Sequence, residues 1–175
     1  MKMKFIKNKI KNEKGFSLIE TIIYIAIFSM IVTTFVSFSS SMTRVRLHNQ
    51  MVLEVNDQGQ NTMKIITQTI RNASAVNSLA MGNTDSSLNL TTFTPATSPT
   101  IFSESSGVLY IKEGSSSQIA LTNNKVVISN LAFSNFSHSN TGDIIKISFT
   151  LSSLTSGGLG GSYAFTFNGS AQLRK

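Results

Sequence analysis

The sequence contains no cysteine, no tryptophan and only two prolines in 175 residues. Without cysteine there can be no disulfide bond, no thiolate nucleophile and no cysteine-ligated metal. A folded domain in this chain must therefore be held by its hydrophobic core alone. Both prolines, Pro95 and Pro99, lie in the second half of the chain. Because no proline interrupts residues 16–80, that stretch is free to form one long helix.

Charged side chains are also scarce, at 13%, and they are unevenly distributed. The formal net charge is +7, but residues 1–15 contain six lysines and one glutamate and so carry +5 of it. The other residues contain nine basic and seven acidic side chains, a net of only +2. This distribution does not support a basic surface for nucleic acid, and nucleic acid is not expected as a partner.

A long apolar run follows the basic segment. Residues 21–43 include no charged side chain, and as a helix they would span about 34 Å, enough to cross a hydrocarbon core of roughly 30 Å. Lysines precede the run, and Arg44 and Arg46 follow it. Since the stronger positive cluster is N-terminal, the N-terminus is expected in the cytoplasm and the C-terminal bulk outside.

The apolar run has more than one interpretation, and Glu20 helps to distinguish between them. An ordinary signal peptide has a shorter apolar region and a small-residue cleavage site behind it, and residues 37–43 offer no convincing site of that kind. A plain membrane anchor has the right length. It leaves unexplained, however, a carboxylate whose insertion into a membrane helix costs about 2.5–3.5 kcal/mol.

The junction between the two segments reads KGFSLIE over residues 14–20. It resembles the class III signal of type IV prepilins and type II secretion pseudopilins, in which a basic leader ends in Gly. An aromatic residue, Ser or Thr, two aliphatic residues and Glu then follow. The resemblance implies that a membrane-embedded prepilin peptidase cuts after Gly15 and methylates the new amine of Phe16. It also implies that Glu20 pairs with the terminal amine of a neighbouring subunit, which offsets the cost of burying either charge.

Beyond Arg44 the sequence predicts that the helix continues with one apolar face. The residues of this stripe recur at intervals of three or four: Val45, His48, Val52, Val55, Gly59, Met63, Ile66, Ile70 and Ala73. Gly59 costs about 1 kcal/mol in a helix interior, so it indicates a bend or close packing at that point. Gly82 and Asn83 predict the end of the helix.

After Gly82 the pattern changes to short runs of alternating Val, Ile, Phe and Thr between Gly, Ser and Asn clusters, which predicts an antiparallel sheet. Residues 121–126 are expected to form a hairpin turn. The fold class is therefore α+β and pilin-like, with one long N-terminal helix packed on an antiparallel head. The expected organisation is a cleaved leader (1–15), a transmembrane polymerisation helix (16–43), an amphipathic helix (44–80) and a β head (81–175).

The sequence offers no arrangement of residues for catalysis. His48 lies on the helix stripe and His138 in a turn-like segment, so neither is expected to be a ligand. Asp85 and Asp143 occur singly rather than in a calcium-binding loop. No enzyme activity, cofactor or metal is expected.

These observations predict a structural subunit of a type IV pilus or type II secretion-like pseudopilus, with a minor, J-like pseudopilin favoured over a major subunit. The expected partners are other pilin or pseudopilin subunits, the prepilin peptidase, an inner-membrane assembly platform and membrane lipid. The expected location is the inner membrane before assembly and a cell-surface or periplasmic filament afterwards. The alternative is a membrane-anchored or secreted β-domain that acts as a non-polymerising adhesin or sensor.

Overall fold

The computed structural model describes residues 15–138, 142–154 and 161–174. The lysine-rich part of the predicted leader, residues 1–14, lies outside them. The elements are α1 (Leu18–Arg71), β1 (Ala73–Val76), β2 (Thr84–Asp85), β3 (Leu88–Thr92), a short 3-10 helix (Pro95–Thr97), β4 (Thr100–Ser105), β5 (Val108–Glu113), β6 (Ile119–Ala120), β7 (Val126–Asn135), β8 (Ile144–Ser153) and β9 (Ala164–Gln172). The chain divides into two compact units between Met42 and Thr43. The second unit, called the head here, contains the strands and the second half of α1.

Helix α1 has 54 residues, a length of about 81 Å at 1.5 Å per residue. It ends at Arg71, so the prediction that the helix continues to Ala80 was wrong. The amide of Asn72 still bonds the carbonyl of Gln68, at 3.0 Å, and the next residue, Ala73, already pairs with Thr92 of β3. Pairing with β3 gives residues 73–76 ladder hydrogen bonds and buries Ala73 fully. These tertiary contacts outweigh the weak local preference for helix.

The strands form two antiparallel sheets rather than one. The first sheet has the order β1-β3-β4-β5-β6 and the second the order β2-β7-β8-β9. The tight hairpin lies between β4 and β5, where Ser106 and Gly107 both have positive φ (52° and 76°), as a two-residue type I′ turn requires. Residues 121–126 instead carry the chain from β6 in the first sheet to β7 in the second, so the hairpin predicted there was wrong.

Strand β7 is one long strand with an irregular register between Ser129 and Ala132. Asn130 adopts φ +52° at this point. Asparagine tolerates that left-handed conformation better than most residues. The result is a bulge that lets one long strand bend without leaving the sheet.

The core of the head lies between α1 and the inner faces of the two sheets. The helix buries one face, whose buried residues recur at intervals of three or four: Val55, Gly59, Thr62, Ile66 and Ile70. All of them except Thr62 belong to the predicted stripe. The stripe residues Val45 and His48 are exposed, so the prediction was wrong for that part of the helix. Phe102 of the first sheet and Phe133 of the second are fully buried, with ring centroids 6.4 Å apart. Both sheets therefore contribute to a single core with the helix.

Candidate functional site: the N-terminal signal and the helix it precedes

The signal residues lie at the exposed start of α1. Gly15, Phe16 and Ser17 precede the helix, and Phe16 is 84% exposed. A Cβ placed on Gly15 would meet no other atom within 4 Å, and Gly15 is not among the described residues with positive φ. The described fold therefore does not itself require glycine at this position.

Glu20 lies in the first turn of α1 and is exposed. The helix ladder begins with the amide of Thr21 bonded to the carbonyl of Ser17, at 3.2 Å. A negative charge near a helix N-terminus is favourable because it meets the positive end of the helix dipole. Ser17 and Glu20 also have the spacing of a capping box, in which a glutamate three residues after the cap stabilises the helix start. Glu20 thus has a possible local role besides the intersubunit pairing that the sequence suggested.

The part of α1 in the first unit is apolar and exposed. Every residue from Leu18 to Met42 is exposed, and α1 is the one helix in the described part of the chain that is long and apolar enough to cross a membrane. Apolar surface on this scale is unfavourable in water. A membrane or other protein chains must therefore cover it.

Hydroxyl groups within this apolar stretch are satisfied by the helix itself, a feature that the sequence analysis missed. Ser29 donates to the carbonyl of Ile25 (2.7 Å), Thr33 donates to that of Ser29 (2.8 Å), and Ser37 donates to that of Thr33 (2.9 Å). Such bonds to preceding carbonyls remove the cost of exposing a hydroxyl donor to hydrocarbon. Their signal in the sequence was the presence of Ser and Thr in a run predicted to be helical, because the acceptors are backbone carbonyls of the preceding turn.

In the head, two glycines bring α1 and β9 into close contact. A Cβ on Gly59 would overlap the ring of Phe167, and a Cβ on Gly169 would lie 2.6 Å from the Sδ of Met63. The Phe167 ring stacks on Phe149 at 5.4 Å between centroids and meets Phe165 edge-on at 4.9 Å. Of the two possibilities left open for Gly59, the structure confirms close packing.

A polar cluster joins α1 to the segment between β6 and β7. The Glu54 carboxylate accepts a hydrogen bond from the Asn123 amide (2.6 Å) and pairs with the Lys125 ammonium at 3.3 Å. The Asn123 hydrogen bond has the largest effect and lowers the pKa of Glu54 below its ordinary value. Burial opposes this effect, and Lys125 and Gln58 lower the pKa further. The carboxylate therefore stays ionised to lower pH than a free glutamate. The partners are 69 and 71 residues away from Glu54, so no local sequence pattern could have identified them.

Thr62 is a polar residue on the otherwise apolar face that α1 buries. Its side chain is 1% exposed, and its Oγ1 has no hydrogen-bond partner among the described residues. An unsatisfied buried hydroxyl costs about 1–3 kcal/mol. Nothing in the structure indicates a compensating role for it.

Thr62→Val is expected to stabilise the head by about 1 kcal/mol, because valine has the same shape, a similar helix propensity and no hydroxyl. Urea unfolding of the full chain in mild detergent, followed by circular dichroism, measures the change. Thr67→Val is the matched control, since the Thr67 hydroxyl already donates to the carbonyl of Met63 at 2.8 Å, and it should bring no gain. Equal effects of the two substitutions would show that the Thr62 hydroxyl is not the cause.

The two histidines lie in different parts of the described structure. The ring of His48 contacts Tyr163 edge-on, at 6.2 Å between centroids, and His138 lies beyond the end of β7. Within residues 15–138, 142–154 and 161–174, no group of three or more His, Cys, Asp or Glu side chains could hold a metal ion. Asp85 is part of strand β2, and Asp143 comes directly before β8.

A long N-terminal helix with a bare apolar segment and a second segment packed on antiparallel sheets defines a pilin-like α+β protein. Residues 10–36 match the family model of the prokaryotic N-terminal methylation motif, the type IV prepilin-like signal. The match includes Gly15, Phe16 and Glu20. The N-terminal signal is thus of the type IV prepilin-like kind, and the arrangement of helix and sheets is pilin-like. No curated protein and no solved structure matches it.

Proposed function

We propose that this chain is the precursor of a filament subunit of a type IV pilus or type II secretion-like pseudopilus. The observation that carries the proposal is the match of residues 10–36 to the methylation motif, together with the bare apolar helix that follows it. Such a surface can lie in a bilayer before assembly and against the helices of other subunits afterwards. The role is structural, and assembly depends on membrane lipid and on an inner-membrane platform.

Maturation is proposed to occur by cleavage after Gly15 and methylation of the Phe16 amine by a prepilin peptidase. Two features support this assignment. The exposed residues 15–17 precede the first turn of α1, so a peptidase can approach them without unwinding the helix. The described contacts do not require glycine at position 15, and recognition by a peptidase accounts for a glycine there.

Glu20 is proposed to set the register of assembly. After cleavage it is the fifth residue of the mature chain, close to the Phe16 amine of a neighbouring subunit. Pairing of the two charges compensates for their removal from water, whereas a wrong register leaves each of them unpaired. Apolar contact alone gives little directional preference when a helix moves from lipid to protein. The charge pair therefore specifies the register in which the subunits assemble.

Within this class we favour a minor subunit, of the J-like pseudopilin type. The support is the size of the head, in which the described strands form sheets of five and four. The proposed mature chain consists of a polymerisation helix over residues 16–43 and a head that begins with the remainder of α1. Before assembly the head lies outside the inner membrane, and afterwards it forms part of the filament surface.

Mass spectrometry of the natural N-terminus tests this function. The expected mature chain begins at Phe16 and carries one added methyl group. The variant Gly15→Val is expected to fold normally, because nothing lies within 4 Å of the added Cβ, yet to keep its leader. A wild-type chain that retains its lysines in cells with an active prepilin peptidase would contradict the proposal and favour a non-polymerising anchored domain.

A further inference from the structure

Strand β9 forms one edge of the second sheet, and it differs from the other edge strands of the described sheets. The edge strands β1, β2 and β6 have four, two and two residues, whereas β9 has nine. Proteins usually prevent pairing at an edge with short strands, charged side chains or proline. Residues 161–173 contain no charged side chain and no proline. Strand β9 therefore remains able to pair with a further strand.

The register between β8 and β9 shows which backbone groups face the free edge. At one end the Ser153 amide donates to the carbonyl of Tyr163 at 2.8 Å, and at the other the Leu173 amide donates to that of Asp143 at 2.9 Å. The pairing between these ends is continuous. In an antiparallel pair such bonds alternate, so the odd-numbered residues of β9 bond β8 and the even-numbered ones face away from it. Within the described residues, an amide and a carbonyl without a backbone partner belong to each of five exposed residues: Ala164, Thr166, Asn168, Ser170 and Gln172.

A polar pocket of about 1000 Å³ lies where the last turn of α1 meets the end of β9. Ser170 and Gln172, which face the free edge, line it together with Arg71 and Arg174. Both arginines are exposed, and neither makes an ion pair within the described residues. None of the described residues that line the pocket is acidic. Two guanidinium groups beside an open strand edge favour a carboxylate as their partner.

We propose that the edge of β9 binds an extended segment of another protein, which adds a strand to the second sheet and places a carboxylate in the pocket. Backbone hydrogen bonds to the even-numbered residues of β9 hold the segment, as in other cases of strand addition. Arg71 and Arg174 bind its acidic side chain. The inference does not depend on the proposed function, because the contact needs neither cleavage of the leader nor a filament.

The direction of the segment follows from the sheet that it joins. Every strand pair in the second sheet is antiparallel, and antiparallel pairing is slightly more stable than parallel pairing. An antiparallel segment begins beside the C-terminal end of β9, so its acidic residue lies at its own N-terminal end. A second copy of β9 does not supply this chemistry, because residues 164–172 include no acidic side chain.

A synthetic peptide tests the inference with the full chain in mild detergent. The probe is acetylated and fluorescently labelled, and in it one Asp and one Glu precede three Thr-Val repeats. Fluorescence anisotropy should show saturable binding. A probe with Asn and Gln in place of the two acids should bind about fivefold more weakly, the scale of an exposed ion pair. A probe with the two acids at its C-terminal end should bind as weakly as the neutral one.

Asn168→Pro tests the strand edge. Proline removes an N–H that points away from β8, so the ladder between β8 and β9 stays intact, and an edge position of this kind tolerates proline. The variant should bind the probe about tenfold more weakly, because the added strand loses a hydrogen bond and meets the proline ring. Asn168→Ala keeps the N–H and should bind like the wild-type chain. Circular dichroism checks that both variants retain the sheets.

Arg71→Glu and Arg174→Glu test the pocket without changing the strand edge. Each should weaken binding of the acidic probe by about fivefold and leave binding of the neutral probe unchanged. Lys112→Glu makes the same charge change on β5, in the first sheet and outside the pocket, and should bind both probes like the wild-type chain. A loss with Lys112→Glu as large as that with Arg174→Glu would attribute the effect to net charge and overturn the assignment of the pocket.

Three further results would overturn the inference. The acidic probe shows no binding at about 1 mM, the acidic and neutral probes bind equally, or a folded Asn168→Pro chain binds as well as the wild type. Sedimentation of the wild-type chain provides a last check. Self-association that Asn168→Pro abolishes, in a chain that binds no probe, would assign the edge to a second copy and refute binding of an acidic segment.

Discussion

Glu20→Ala is expected to be cleaved and methylated like the wild-type chain and yet to be almost absent from filaments. In the proposed pairing, the substitution leaves the Phe16 ammonium of a neighbouring subunit without its partner among apolar helices. Removing one member of a buried ion pair costs about 3–5 kcal/mol, a factor of roughly 10²–10⁴ in an association equilibrium. Immunoblots of sheared filaments and membranes measure the distribution, and mass spectrometry measures the maturation of the same samples.

Glu20→Gln distinguishes the proposed pairing from helix capping. Glutamine can occupy the third helical position of a capping box much as glutamate does, but it carries no charge. If the charge pair matters, Glu20→Gln should assemble as poorly as Glu20→Ala. Assembly of the glutamine variant at the wild-type level would assign Glu20 to the start of α1 and remove the argument for intersubunit pairing.

Gly59→Ala is expected to destabilise the head. In an exposed helix the change would be favourable by about 1 kcal/mol, because alanine is the better helix former. Here the new Cβ would overlap the ring of Phe167, and the rings of Phe149 and Phe165 restrict its movement. Since overpacking costs about 1–3 kcal/mol, and more where neighbours cannot shift, we expect a net loss of about 2 kcal/mol in urea unfolding.

Two further variants test whether this loss of stability comes from the contact between Gly59 and Phe167. Gln60→Ala, at the neighbouring exposed position, changes helix propensity without touching β9 and should be neutral within a few tenths of a kcal/mol. Phe167→Ala alone should destabilise the head by leaving a cavity. The double variant should lose less stability than the two single variants combined, because the Cβ added at Gly59 and the ring of Phe167 compete for the same space. A Gly59→Ala chain as stable as the wild type would contradict the close approach of α1 and β9.

The N-terminal signal and the helix stripe could be predicted because both depend on local patterns. The run from Gly15 to Glu20 is contiguous, and it has a recognisable order of residue types. The burial of Val55, Gly59, Ile66 and Ile70 follows from a spacing of three or four residues, whatever surface they meet. The α+β class followed from the change of that spacing to alternation after Gly82.

The contacts that complete the head could not be predicted because their partners are distant in sequence. Asn135 is buried and donates to the carbonyl of Leu79 at 2.8 Å, which fixes the segment that leads to β2 across 56 residues. In the sequence it was only one asparagine of many in a polar region. The end of α1 depended in the same way on β3, which draws residues 73–76 into a sheet.

By itself the sequence determined that this chain has a basic segment, a signal of the prepilin type, an apolar helix long enough for a membrane and a strand-rich remainder. Charge, length and short-range periodicity are properties of neighbouring residues, and they need no tertiary contact. Only the tertiary structure decided where the helix ends, how the strands divide into two sheets and which distant side chains meet, such as Glu54 with Asn123 and Lys125. Those features depend on the free energy of contacts between distant segments, which local preferences of a few tenths of a kcal/mol per residue do not specify.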